Sequence, residues 1–183
     1  MQLLKQQRMP LRLKAAVVLL MLWIAGSAAA FYWFFLGHYG VFDQQGLWQQ
    51  QPLLPQQVQH KLSHQLLPNH RWQAVLITDS SCNCSSFAKE HLQRLQQRQP
   101  NLIVKELELD EAKALGLTLG LDIIAAPLLL LFQNQQLLYA GPLATDLLCS
   151  DNASLLDGIV SGTTQLPGFW LNGESTACRC LIE

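Results

Sequence analysis

The run AAVVLLMLWIAGSAAAFYWFFL, Ala15 to Leu36, is 22 residues long and carries no charge. As a helix it would extend about 33 Å at 1.5 Å per residue, enough for a bilayer core of roughly 30 Å. It has no polar face, so a buried helix of a soluble domain is the weaker reading. The small residues of GSAAA offer a cleavage site, and with it a signal peptide as the alternative. The apolar run continues through Phe31, Tyr32, Trp33, Phe34 and Phe35, which a cleaved signal does not need. Residues 15–36 therefore read as a transmembrane signal-anchor, its aromatic cluster suited to the far interface.

Lys5, Arg8, Arg12 and Lys14 precede the run, with no acidic residue among residues 1–14. This basic segment holds the N-terminus in the cytoplasm. The rest of the chain then lies outside, which in a bacterium is the periplasm. The expectation is a single-pass inner-membrane protein. The sequence holds 12 Lys and Arg against 13 Asp and Glu, so setting those four aside leaves an acidic remainder. Nucleic-acid binding needs a basic face, and none is visible.

Residues 37–69 read as a spacer rich in Gln and Pro, as in FDQQGLWQQQPLLPQQVQH. Val58, Leu62 and Leu66 recur every fourth residue and predict a short amphipathic helix, ended by Pro68 and Asn69. His60 and His64 are four apart, a spacing that reads as a polar helix face ahead of a metal pair.

Residues 70–183 alternate between the two periods. WQAVLI predicts a buried strand, followed by a helix with Phe87, His91, Leu92 and Leu95 on one face. LIVKELEL is a second strand, DEAKALGL a short helix, AAPLLLLF a third strand and LLYAG a fourth after the QNQQ turn. A later helix falls in ASLLDGIV; the tail from Gln165 has no clear period. The order β-α-β-α-β-β-α predicts an α/β sandwich, one sheet with flanking helices.

Cysteines punctuate this pattern. Cys82 and Cys84 stand one residue apart in TDSSCNCSSFAKEHL, at the first strand–helix junction, and the spacing returns as Cys178 and Cys180 in ACRCLIE. A cysteine at a helix N-terminus meets unpaired N–H groups and the positive end of the macrodipole, which stabilise a thiolate. Cys82, nearer the loop, is the expected nucleophile and Cys84 the resolving thiol. A disulfide between residues two apart would be strained and easily reduced. Asp79 is a candidate proton relay, or a loop cap. Two alternatives stand beside active thiols. The two pairs can be cross-linked to each other, an option in an oxidising compartment. Or Cys82, Cys84, Cys178 and Cys180 can hold zinc or Cu(I). Cys149 makes the count odd. Near the chain end backbone is usually mobile, so the tail pair reads either as a relay that reaches back to the first pair or as a structural staple or local disulfide with no part in the chemistry.

The strand AVLITD, the motif SSCNC opening a helix, and AAPLLLLF followed by a hairpin together resemble the thioredoxin-like superfamily, over about Trp72 to Val160. The chain is similar to its membrane-anchored bacterial members, and within these to a domain family of unknown function with C-x-C in place of C-x-x-C. The resemblance implies a thioredoxin-like sandwich, a central mixed sheet flanked by helices. It implies a cis-proline at Pro127 facing the cysteine pair, with Ala126 and Pro127 binding substrate. It implies thiol–disulfide exchange with extracytoplasmic protein thiols or disulfides, without a cofactor. The other readings are a thiolate metal carrier for copper or zinc, and a redox-inactive scaffold stapled by its cysteines.

Overall fold

The computed structural model describes residues 10–34, 36–50, 54–62, 66–68, 70–117, 123–147, 150, 152, 154–166 and 168–182. It divides into two units, residues 1–37 and 38–183. The first unit contains α1 (Leu11–Phe34), the helix of the uncharged run. The stretch Leu11–Trp33 is long and apolar enough to cross a membrane, and none of it is buried. Leu19, Leu20, Met21 and Leu22, which step round the helix, are all exposed, so the apolar surface lies on every side. An apolar surface of this extent is consistent with membrane association.

The second unit is built on a five-stranded sheet of order β3-β2-β5-β6-β7. Its strands are β2 (Trp72–Thr78), β3 (Leu102–Glu108), β5 (Leu128–Gln133), β6 (Gln136–Gly141) and β7 (Trp170–Leu171). β2 runs parallel to β3 and antiparallel to β5; β6 is antiparallel to β5 and parallel to β7. This is the mixed sheet that the resemblance implies. The apolar runs of β2 and β5 follow from its position: both faces are covered, so both sets of alternating side chains are apolar.

Val75, Ile77, Leu128, Leu130 and Phe132 point to one face, where α2 (Leu54–Leu62) and α4 (Leu109–Ala114) supply Val58, Leu62 and Ala112. Ala74, Leu76, Leu129 and Leu131 point to the other, against Ala88, Leu92 and Leu95 of α3 (Asn83–Arg98) and Leu156 and Ile159 of α5 (Leu156–Ser161). The QNQQ turn is a two-residue hairpin in which Asn134 and Gln135 take φ of 49° and 66°, the left-handed twist that tight hairpins require.

Composition made residues 37–69 a spacer and short helix; among the described residues, those from His38 onward group with the second unit, and the short helix is α2. Phe42 and Trp48 are buried in the core, their rings 5.7 Å apart. Asp43 fixes this turn by accepting from the Leu47 and Trp48 amides at 3.0 and 2.9 Å. Two large aromatics outweigh the surrounding glutamines, which remain at the surface. His64 of the pair His60/His64 lies outside the described residues.

The tail, too, is ordered by pairing. β8 (Thr176–Cys178) runs antiparallel to β1 (Tyr39–Val41), and β9 (Cys180–Leu181) antiparallel to β4 (Ala125–Ala126). Strands of two or three residues are too short for alternation to show, which is why the tail has no visible period.

Candidate functional site: a cysteine cluster beside a cis-proline

β2 ends at Thr78 and the chain turns through Asp79–Ser81 into α3. Asp79 sets the turn: its carboxylate accepts from the Ser81 amide at 2.8 Å and the Ser81 hydroxyl at 2.7 Å. These bonds hold its carboxyl below the usual carboxylate range. Asp79 thus stays charged and occupied within its own loop. The Asp79 carbonyl accepts from the Cys82 amide at 3.0 Å.

Cys82 is the N-cap of α3, in extended conformation, and its sulfur makes no capping hydrogen bond. Cys84 is the second helical residue and fully buried. Both stand at the positive end of a 16-residue helix with no acidic residue in its first turn. The Ala126–Pro127 peptide is cis, and the Ala126 carbonyl lies 3.6 Å from Cys82 Sγ. The spacing places Pro127 at the mouth of β5, next to β2 and hence beside the α3 terminus.

The two C-x-C pairs are joined to each other. Cys82 is bonded to Cys180, with Cα atoms 5.9 Å apart, and Cys84 to Cys178, at 5.6 Å. A Cys82–Cys84 bond, which the spacing would strain, does not form; the tail strand offers each sulfur a partner at ordinary Cα separation. The free, mobile tail expected for a relay is corrected in the same way. Of the three readings of the cysteines, the cross-link describes their pairing here. Cys149 lies outside the described residues.

The tail is clamped from both sides. Arg179, between its cysteines, is buried; its Nε donates to the Val41 carbonyl and its Nη2 to Gln44 Oε1 at 3.2 Å. Burial lowers its pKa. The Arg179 amide donates to the His38 carbonyl at 2.7 Å. Gly40 leaves the room: a Cβ there would stand 2.6 Å from Arg179 Nη2. His38 Nδ1 is 3.8 Å from Cys180 Sγ. His38, Gly40 and Gln44 carried no signal as site residues in the sequence, because they reach the cysteines only through the β1–β8 pairing; Arg179 is flanked by cysteines in the sequence, but its partners Val41 and Gln44 are set by that pairing.

The ligand atoms of Cys82, Cys84 and Cys180 all lie within 4.8 Å of one another. As thiolates these three could hold a soft cation. The four cysteines form two disulfides, so disulfide chemistry is the first property of the cluster.

A mixed sheet with flanking helices, a cysteine at the first strand–helix junction and a cis-proline beside it make up a thioredoxin-like fold. Residues 51–182 match a family described as a domain of unknown function, DUF6436, and the chain belongs to that family. Among curated proteins, none matches. Solved structures similar in fold include the oxidised thioredoxin of Plasmodium falciparum, at 12% identity and TM-score 0.41, covering 60% of this chain and 92% of that one. The thioredoxin of Fasciola hepatica aligns at 9% identity and TM-score 0.41, over 52% of this chain and 83% of that one. A Pseudomonas aeruginosa protein of unknown function aligns at 21% identity and TM-score 0.36, over 60% and 74%.

Proposed function

We propose that this is a membrane-anchored thioredoxin-like protein that performs thiol–disulfide exchange on other extracytoplasmic proteins, with Cys82 as the sulfur attacked and Cys84 as its neighbour in the reaction. The observation that carries the reading is the Cys82–Cys180 disulfide at the N-terminus of α3, against the Ala126 carbonyl and the cis-proline. An incoming thiolate forms a bond to Cys82, and the Cys82–Cys180 bond breaks with its electron pair on Cys180. A second thiol of the substrate then attacks the mixed disulfide and leaves with a disulfide of its own. Cys82 departs as a thiolate, which the helix terminus stabilises as a leaving group. Each protein disulfide becomes two thiols for each substrate dithiol oxidised. Run in reverse, the same steps reduce a substrate. Ala126 and Pro127 are the substrate-binding backbone in this proposal.

The anchor and compartment belong to the same proposal. The basic residues before α1 favour a cytoplasmic N-terminus, and an oxidising periplasm sustains the two disulfides. A reporter active only in the periplasm, fused after Glu183, is expected to be active, and the fusion to stay in the membrane after carbonate extraction.

The second reading is a redox-inactive scaffold stapled by its cysteines, favoured by the burial of Cys82, Cys84 and Cys178 in their disulfides. The third is a thiolate metal site, favoured by the three converging sulfurs. One experiment separates them, a scaffold showing neither exchange nor metal uptake. The detergent-solubilised chain is incubated with a reduced model dithiol substrate, and separately reduced and titrated with Zn²⁺ or Cu(I). Exchange is expected to oxidise the substrate, and to be abolished in Cys82→Ser. Stoichiometric metal uptake without exchange would replace the redox reading with the metal one.

A further inference from the structure

The tail shows what the exchange site accepts. β9 lies antiparallel to β4, with Ala126 opposite Cys180 and Ala125 opposite Leu181, and the Ile182 amide donates to the Ile124 carbonyl at 3.1 Å. Such a ladder reads backbone alone, so it selects an extended conformation and little else. Selection falls to the sulfurs. On the site side, Cys82 and Cys84 are fixed by the first turn of α3. On the tail side, Cys178 and Cys180 stand one residue apart, and both meet a site sulfur while Arg179 between them turns toward Val41 and Gln44. In extended chain, side chains two apart share a face, whereas side chains three apart point to opposite faces.

Resting on the exchange reading above, we infer that the partner of this site is an extended protein segment carrying a reduced C-x-C pair, which replaces the protein's own tail beside Ala125–Ala126 and is captured by both Cys82 and Cys84. The tail is the resident copy of that segment. Capture takes two exchanges. One partner thiolate bonds to Cys82 as the Cys82–Cys180 bond breaks; the electron pair leaves on Cys180, which takes a proton from His38, whose Nδ1 lies 3.8 Å away, or from water. The other partner thiolate bonds to Cys84 as the Cys84–Cys178 bond breaks, and Cys178 leaves as a thiolate protonated by water. Two disulfides break and two form, so no oxidant is consumed. The tail becomes a dithiol able to reverse both steps. A segment with one cysteine, or with C-x-x-C in extended form, completes only the first exchange and is expelled when Cys180 attacks back.

The test uses the full chain in detergent with both disulfides formed. It is mixed with reduced synthetic peptides of the tail sequence Thr176–Ile182, quenched by alkylation and read by intact mass. Three peptides are compared: the C-x-C sequence, a version with one residue inserted between the cysteines, and a version with a single cysteine. Reduced glutathione is run beside them. The C-x-C peptide is expected to accumulate as an adduct with no free peptide thiol and two alkylated tail cysteines, at least about tenfold above the other two, since the second bond forms intramolecularly. Equal adduct yields from the three peptides would overturn the C-x-C specificity while leaving exchange intact. If neither a peptide nor glutathione exchanges with the folded chain, the exchange reading falls and takes this inference with it.

Discussion

Cys82 owes its chemistry to its place more than to its sequence neighbours. It is the N-cap of α3, its amide is tied to Asp79, and its sulfur lies against the Ala126 carbonyl. Asp79, next to it in space and sequence, does a different job: it holds the turn through Ser81. The charge-assisted bonds to Ser81 lower its pKa in the fold. A lowered folded pKa means the carboxylate stabilises the fold above the unfolded value, about 3.9, and ceases to do so as pH falls through the folded value. Asp79→Ala is therefore expected to cost about 0.5–2 kcal/mol at neutral pH, a difference that disappears in strong acid. Thermal unfolding of both proteins at several pH values checks this. A proton-relay role for Asp79 predicts instead a shifted pH profile of exchange in Asp79→Asn, measured beside the unsubstituted protein.

Among the elements, the segment from β1 to α2 has the least expected role. It looks like a glutamine-rich spacer, yet it closes one face of the sheet with Phe42, Trp48, Val58 and Leu62. It also holds the tail, since β1 pairs β8 and Val41 and Gln44 receive Arg179. Core and site therefore share this segment. Trp48→Ala is expected to destabilise the domain by about 3–5 kcal/mol, the range for deleting a buried aromatic ring. Replacing the neighbouring exposed Gln49 with Ala is expected to change it by less than about 0.5 kcal/mol. Denaturant unfolding followed by tryptophan fluorescence would separate them; equal, small effects would return the segment to the status of a spacer. The tail elements β8 and β9 are the counterpart. Each is too short to stand alone, and each exists because a strand from elsewhere in the chain pairs with it.

For the whole molecule, the two disulfides are one device. The Cys84–Cys178 loop, 94 residues, nests inside the Cys82–Cys180 loop, 98 residues. Closing the outer loop removes roughly 4–5 kcal/mol of unfolded-state entropy in the chain-entropy account. Closing the inner loop afterwards removes far less, because its ends are already neighbours. Removing one disulfide by a paired Cys82→Ser, Cys180→Ser substitution is therefore expected to lower the melting temperature only slightly, and removing both to lower it much more. Calorimetry on the detergent-solubilised chain checks this; equal steps for the two would show that the bonds act independently. While the first bond is exchanged, the second keeps the long loop closed.

What the sequence determined by itself is what local rules write into a chain. An uncharged run of 22 residues can only be a long apolar helix. Strands buried on both faces must be continuously apolar, as β2 and β5 are, and a helix packed on one side must repeat every three or four residues, as α3 does. The first C-x-C pair and Pro127 were legible for the same reason, since each sits at an element boundary that its neighbours define. Tertiary structure alone decided which cysteine meets which. Four cysteines allow three full pairings, and the choice among them depends on β8 and β9 finding β1 and β4, contacts that span 135 or more residues for β1. It also decided that His38, Gly40 and Gln44 belong to the site, because their register is set by backbone pairing across the molecule, and no local pattern encodes a partner that far along the chain.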